Sequence, residues 1–331
     1  MKKLLTSVVA AVACYAGVAS AAEIKPAVVY DLGGRFDRSF NQGAYNGAEK
    51  YKADTGTEYR DFEIQNDSQR EQAMRNFARR GMNPIVAIGF SQASALEKVA
   101  KEFPETKFTI VDMVVDLPNV QSVVFKEHEG SFLVGVLAAM ASKTEKVGFV
   151  GGMDIPLIRK FACGYVQGVK HADPNAEVFQ NMTGTTGAAW NDPVKGGELA
   201  KSQFDRGADV VYHAAGGTGV GVLQAAADAG KLGIGVDSNQ NALHPGSVLT
   251  SMLKRVDVAV YEAFASAAGD NWKPGLTILG LAEGGVDWAL DENNEKLITP
   301  EMKEAVAKAK EAITSGSLEV HDYMSDSACP M

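Results

Sequence analysis

Several acidic, aromatic and basic side chains in this sequence stand directly after short apolar runs, where they could hold a small polar molecule. Asp31 ends AVVYD and opens the segment Asp31 to Gln42, DLGGRFDRSFNQ. Asp112 ends FTIVD. Gly216 to Gly221 reads GGTGVG, Asp237 stands in GVDSNQ, and Lys254 lies just past Val248–Leu253. An ionised carboxylate only accepts hydrogen bonds, so these acids suit a ligand rich in N–H and O–H donors; a lysine donates to its oxygens. Phe40 and Trp190 suit a flat ring, which gains by stacking on aromatic faces. Each feature also has a plain structural use. Acids after strands cap helices, glycines make tight turns, and aromatics fill cores.

The patterns of the common catalytic machineries are missing. There is no GxSxG, HExxH, CxxC or GxxxxGK[ST], which are the signatures of nucleophile elbows, zinc sites, redox pairs and phosphate loops. The five histidines lack metal-ligand spacing, so neither a metal nor a cofactor is expected. Gly217, Gly219 and Gly221 precede Asp237 in the layout of a dinucleotide site, but the spacing is G-x-G-x-G rather than G-x-G-x-x-G. Asp31, Asp37 and Asp112 leave open a different class, an exported hydrolase acting on nucleosides.

The elements that must position these residues alternate between strand and helix. Strands are predicted at Ala27–Asp31, Tyr59–Ile64, Pro84–Gly89, Phe108–Asp112 and Val120–Phe125. The helices between them are Asn41–Thr55, Ser68–Arg80 with Ser68 as N-cap, and Ser91–Glu102. The series then restarts with helices at Glu129–Ala141, Ile158–His171, Val194–Arg206 and Gly219–Ala229. Its strands are Lys146–Val150, Ala176–Gln180, Asp209–His213 and Leu232–Val236. Continuous apolar runs of this length fit strands covered on both faces. Two such series predict two doubly wound α/β lobes, with crossovers near Phe125–Gly130 and Ser251–Arg255 and a return beyond Val256. Ligands bind beyond the carboxyl ends of such strands, where the candidate residues lie.

The chain has 331 residues, long for one domain, with 32 basic and 41 acidic residues and a formal net charge of −9. That acidity excludes nucleic acid, whose phosphates require a basic face. The first residues read as a cleaved secretory signal. Lys2 and Lys3 precede the apolar Leu4–Ala13, and Ala19-Ser20-Ala21 offers small residues for cleavage near Ala22. A lipoprotein cut before Cys14 is the alternative. Cys163 and Cys329 remain. In an oxidising compartment they form either one bridge pinning the C-terminal tail to the 161–165 region or two separate thiols.

Four blocks carry a resemblance to a known family: DLGGRFDRSFNQGAYNG from Asp31, EHEGSFLVGVLAA from Glu127, GADVVYHAAGGTGVGVLQAA from Gly207, and IGVDSNQ with VLTSMLKRVDVAV from Ile234. In this order they resemble the basic membrane protein (BMP) family of ABC-transporter substrate-binding proteins, which includes purine nucleoside receptors. The resemblance implies an α/β, type I periplasmic-binding-protein fold, with a three-segment hinge between lobes 24–127 with 254–283 and 128–253 with 284–331, after a signal peptide at 1–21. It implies a monomeric, non-enzymatic periplasmic receptor that passes its ligand to an inner-membrane ABC permease. Residue by residue, Asp31, Asn41 and Asp112 match positions addressing the base, and Phe40 and Trp190 the two stacking faces. Gly217 matches a backbone contact, Asp237 the acid taking ribose hydroxyls, and Lys254 the lysine assisting it. Leu32-Gly33-Gly34-Arg35 departs from the Asp- or Asn-rich loop frequent in the family. The leading ligand is a purine nucleoside (adenosine, guanosine or inosine). Riboflavin or a free purine base in the same cleft, or a sensory receptor role, are the alternatives.

Overall fold

The computed structural model describes residues 24–330, so the signal peptide expected over 1–21 and its alternative at Cys14 lie outside the described residues. The first half runs β1 (Ala27–Tyr30), α1 (Phe40–Thr55), β2 (Arg60–Glu63), α2 (Gln69–Arg79), β3 (Ile85–Ile88), α3 (Ala93–Glu102), β4 (Phe108–Val111) and β5 (Val120–Phe125). Next come α4 (Glu127–Ala141), β6 (Lys146–Met153), α5 (Pro156–Ala172), β7 (Glu177–Gly184), α6 (Pro193–Asp205), β8 (Val210–Ala214), α7 (Gly219–Asp228), β9 (Leu232–Asp237) and β10 (Val248–Lys254). The chain closes with α8 (Val256–Ala268), β11 (Gly275–Leu279), β12 (Val286–Trp288) and α9 (Pro300–Thr314).

Two six-stranded sheets result, in the orders β11-β5-β4-β3-β1-β2 and β12-β10-β9-β8-β6-β7. β1, β3, β4 and β8 are buried at every position, as apolar runs covered by helices on both faces require. β2, at the edge of its sheet, alternates between exposed and half-buried residues.

The chain passes between sheets three times: at Lys126, at Arg255 and through 280–285. β5 and β11 both run towards a crossing, so they pair in parallel. β10 runs towards a crossing and β12 away from one, so those two pair antiparallel. β11 and β12 were not foreseen as individual strands: β11 is exposed or half-buried along its length and β12 spans three residues, so neither reads as an apolar run. One hydrophobic cluster extends from Val28 and Tyr30 in the first lobe through Phe125 and Leu133 to Val306 in the second. The outer face of each sheet has a cluster of its own. Among the described residues no helix is long and apolar enough to cross a membrane.

Two local expectations change. Ser68 precedes α2 but does not cap it; its hydroxyl donates to Asn66 Oδ1 at 2.5 Å. α4 starts two residues earlier than predicted, at Glu127, which places that carboxylate at the first crossing. The alternatives left open for the cysteines resolve as a bridge: Cys163 on α5 is bonded to Cys329, with Cα atoms 5.6 Å apart. Gln167, one turn further along α5, holds the same tail through both backbone groups of His321.

Candidate functional site

The carboxyl ends of β1, β3 and β4 face those of β8, β9 and β10 across a cleft that opens to solvent. Asp31, Phe40, Asn41, Asp112, Trp190, Asp237 and Lys254 all line it. Gly217 does not; it is buried beneath the Trp190 carbonyl, and its neighbour Gly216 lines the cleft instead.

The two principal acids share one backbone device. Asp112 follows β4 with φ 71° and Asp237 ends β9 with φ 62°. Asp tolerates this left-handed region better than most residues, and it turns the chain sharply at the end of a strand. Asp112 Oδ2 accepts from Lys254 Nζ at 2.7 Å, while its Oδ1 is buried without a partner among the described residues. Asp237 Oδ2 accepts from the Ser39 hydroxyl at 2.5 Å. Burial pushes the Asp237 carboxyl up to about 6 against the opposing pull of Lys254 and Ser39. Asp112 is also raised, by burial first and by the neighbouring Glu127 charge, despite Lys254.

Lys254 has three N–H donors. One addresses Asp112 at 2.7 Å, and Glu127 Oε1 lies 2.9 Å away. The rings of Phe40, Phe125 and Phe161 lie 5.1, 5.1 and 5.5 Å from the ammonium, within cation–π range. Burial disfavours this charge, but Asp112, Glu127 and Asp237 outweigh it and raise its pKa. Glu127 is 1% exposed, and its second oxygen lies 3.0 Å from Lys160 Nζ. Burial would raise its carboxyl; Lys254 and Lys160 together hold it down to about 2. Lys160 also donates to the Phe125 carbonyl at 2.7 Å and reaches Asp322 of the tail at 3.4 Å.

The remaining acids are already engaged by protein. Asp31 accepts from Arg70, from the Ser91 hydroxyl and from the Leu32 backbone, and Asn41 Oδ1 accepts from the Asp31 backbone at 3.0 Å. Asp37 accepts the backbone N–H groups of Ser39, Asn41 and Gln42 at 2.8–3.0 Å and so caps α1. Arg35, in the loop that departs from the family pattern, folds back onto Asp61 and Glu63 of β2.

Trp190 ends a short 3-10 turn at Gly187–Trp190, and a Cβ at Gly152 would collide with its ring. The glycines after β8 have a packing explanation too. A Cβ at Gly219 would strike the imidazole of His213, which is fully buried and bonded to Gln240 at 2.9 Å. That accounts for the G-x-G-x-G run without a dinucleotide.

Glu127, Lys160, Phe90 and Phe161 went unrecognised in the sequence. Phe90 and Glu127 each lie two residues beyond a strand, so the strand-end rule that found Asp31 and Asp112 reaches them as well. Lys160 and Phe161 lie within α5, where nothing in the pattern separates them from surface and core residues.

A family model described as ABC transporter substrate-binding protein PnrA-like matches residues 24–322. An ABC transporter nucleoside-binding protein of Lactococcus lactis is 36% identical over 90% of this chain and 89% of its own. Basic membrane protein A of Borreliella afzelii is 31% identical over 85% and 87%. The crystal structure of an ABC transporter solute-binding protein from Aeropyrum pernix superposes with a TM-score of 0.83 at 30% identity, covering 89% of this chain and 92% of that one.

Proposed function

This chain belongs to the Bmp family of PnrA-like ABC transporter substrate-binding proteins, and we propose that it is a periplasmic receptor whose ligand is a purine nucleoside, held between the lobes and delivered to an inner-membrane permease. The observation that carries the ligand class is Asp112 Oδ1, a buried carboxylate oxygen with no protein donor, beside the spare donor of Lys254. A buried unpaired acceptor is costly; a purine N–H supplies what it lacks. In this reading Phe40 and Trp190, from opposite lobes, take the faces of the base, and Asp237 and Lys254 take the ribose hydroxyls. Asp31 and Asn41 build the wall, with Asp31 keeping room for one further donor. The backbone contact expected of Gly217 passes to Gly216, which reaches the cleft. The name of the Lactococcus lactis relative, a nucleoside-binding protein, supports the same ligand class.

Binding rather than turnover is favoured by the state of the acids. A hydrolase built on Asp31, Asp37 and Asp112 would need one of them free as base. Arg70 and Ser91 hold the first and three backbone N–H groups the second, so of the three only Asp112, paired through one oxygen with Lys254, keeps an oxygen open, and the acid cluster reduces to a single carboxylate. Native mass spectrometry of protein purified without refolding, followed by calorimetry of stripped protein with adenosine, guanosine and inosine, tests the reading. A mass increment matching a nucleoside and a one-to-one binding isotherm are expected. No heat with any of the three would refute it, and released base on chromatography would indicate an enzyme.

A further inference from the structure

Ser39-Phe40-Asn41-Gln42 and Gly235-Val236-Asp237-Ser238-Asn239-Gln240 lie about 200 residues apart in sequence, yet they bond to each other across the cleft. Ser39 Oγ donates to Asp237 Oδ2 at 2.5 Å, and Ser238 Oγ donates to the Ser39 carbonyl at 2.8 Å. Gln240 Nε2 donates to the Arg38 carbonyl at 3.0 Å. Both sides of this contact are themselves fixed. The hydroxyl of Ser39, at the N-cap position of α1, is free to cross the cleft because Asp37 does the capping. Gln240 is held in its own lobe by the Val236 N–H and by His213, each at 2.9 Å.

We infer that these two segments form an interlobe latch, in which Ser39, Ser238 and Gln240 are positioning residues that hold the cleft closed and act on any ligand through that closure. Ser238 is only half-buried and is not among the residues lining the cleft. Ser39 is fully buried and meets Asp237 from the first lobe, so the carboxylate assigned to the ribose is also the one that joins the lobes.

A latch and a ligand contact have different signatures. Apparent affinity is the intrinsic affinity scaled by the fraction of protein in the competent state. Weakening the latch therefore reduces the affinity for every ligand by one common factor. Removing a contact changes only the ligands that use it. The inference draws on the nucleoside reading for its probes alone.

The experiment is calorimetry of wild type, Ser238→Ala and Ser238→Thr with inosine and with hypoxanthine, the same base without ribose. Ser238→Ala should weaken both by the same factor, about two- to tenfold for one net hydrogen bond. Ser238→Thr, which keeps the hydroxyl, should restore both. Unchanged affinities, or a loss confined to inosine, would overturn the latch, the second outcome marking Ser238 as a ribose contact. If wild type binds neither probe, the ligand assignment fails, and the latch is judged by small-angle scattering. The double variant Ser39→Ala with Ser238→Ala should then have a larger radius of gyration than wild type. Equal radii would overturn it.

Discussion

Glu127 Oε1 lies 2.9 Å from Lys254 Nζ, so the first and second crossings between the lobes are joined by a buried ion pair. Through its other oxygen Glu127 meets Lys160, and through Lys254 it meets Asp112. The four side chains form a continuous row of alternating charge from the hinge into the cleft. Each is nearly sealed from water, at 1–7% side-chain exposure, so none can lose its partner cheaply.

Glu127→Gln should destabilise the protein by about 3–5 kcal/mol, because it leaves two buried lysines short of a counter-charge. Urea unfolding measures this. The double variant Glu127→Gln with Lys160→Met removes one charge of each sign and should recover a large part of the loss. A single variant as stable as wild type would show that the pair contributes nothing.

Nucleoside affinity should fall as the pH drops below about 6. Asp237 is pushed up to about 6 and Asp112 is raised, so acid protonates the two acceptors that the proposed ligand needs. Each protonated group costs up to about tenfold per pH unit. The linkage to folding has the opposite sign. A raised carboxyl contributes stability that is complete below its unfolded value and lost as pH rises through the folded one, so mild acid stabilises these two sites. Glu127, held down to about 2, contributes stability present above its ordinary carboxylate value and lost as pH falls towards 2. Isotherms at pH 5, 6, 7 and 8 test the first point; constant affinity would contradict it.

Asp237→Ala should weaken inosine far more than hypoxanthine. A charge-assisted hydrogen bond is worth about 1.5–3 kcal/mol, roughly ten- to hundredfold in affinity. The variant also loses the Ser39 bond, so a smaller common loss for both ligands is expected on top. Equal loss for the two would remove the ribose role.

Reduction of Cys163–Cys329, or Cys329→Ser, should loosen the tail before it unfolds the protein. The bridge closes a span of 166 residues, for which chain entropy predicts a contribution of about 5 kcal/mol at most. The pairing of Gln167 with His321 keeps part of that order. Amide exchange should rise over 318–328 while the strands of both sheets stay protected. Unchanged exchange in the tail would show that Gln167 alone is enough to fasten it.

Much of this was legible in one dimension. The pattern predicted nine of the twelve strands, most plainly those covered on both faces, which must be apolar along their length. The rule that ligands lie beyond strand ends then selected Asp31, Asp112 and Asp237 without knowledge of the sheet order. It failed where a residue reaches the cleft from within a helix. Phe161, which lines the cleft, and Lys160, which meets Glu127 behind it, follow the ordinary pattern of α5, and nothing local distinguishes them. Gly217 came from the family resemblance, and only the turn after β8 shows that its neighbour Gly216 is the glycine lining the cleft.

The sequence by itself determined the two-lobed α/β architecture and the family, since both are written in the order of local patterns. It also determined that acids, aromatics and one lysine stand at strand ends. Only the tertiary structure decided what those acids do. An isolated carboxylate has one chemistry, but its partners fix whether it caps a helix, as Asp37 does, neutralises an arginine, as Asp31 does, or keeps an oxygen without a protein donor, as Asp112 does. Those partners come from residues 2 to 142 positions away. Folding alone brings them together, and burial alone makes their pairing matter.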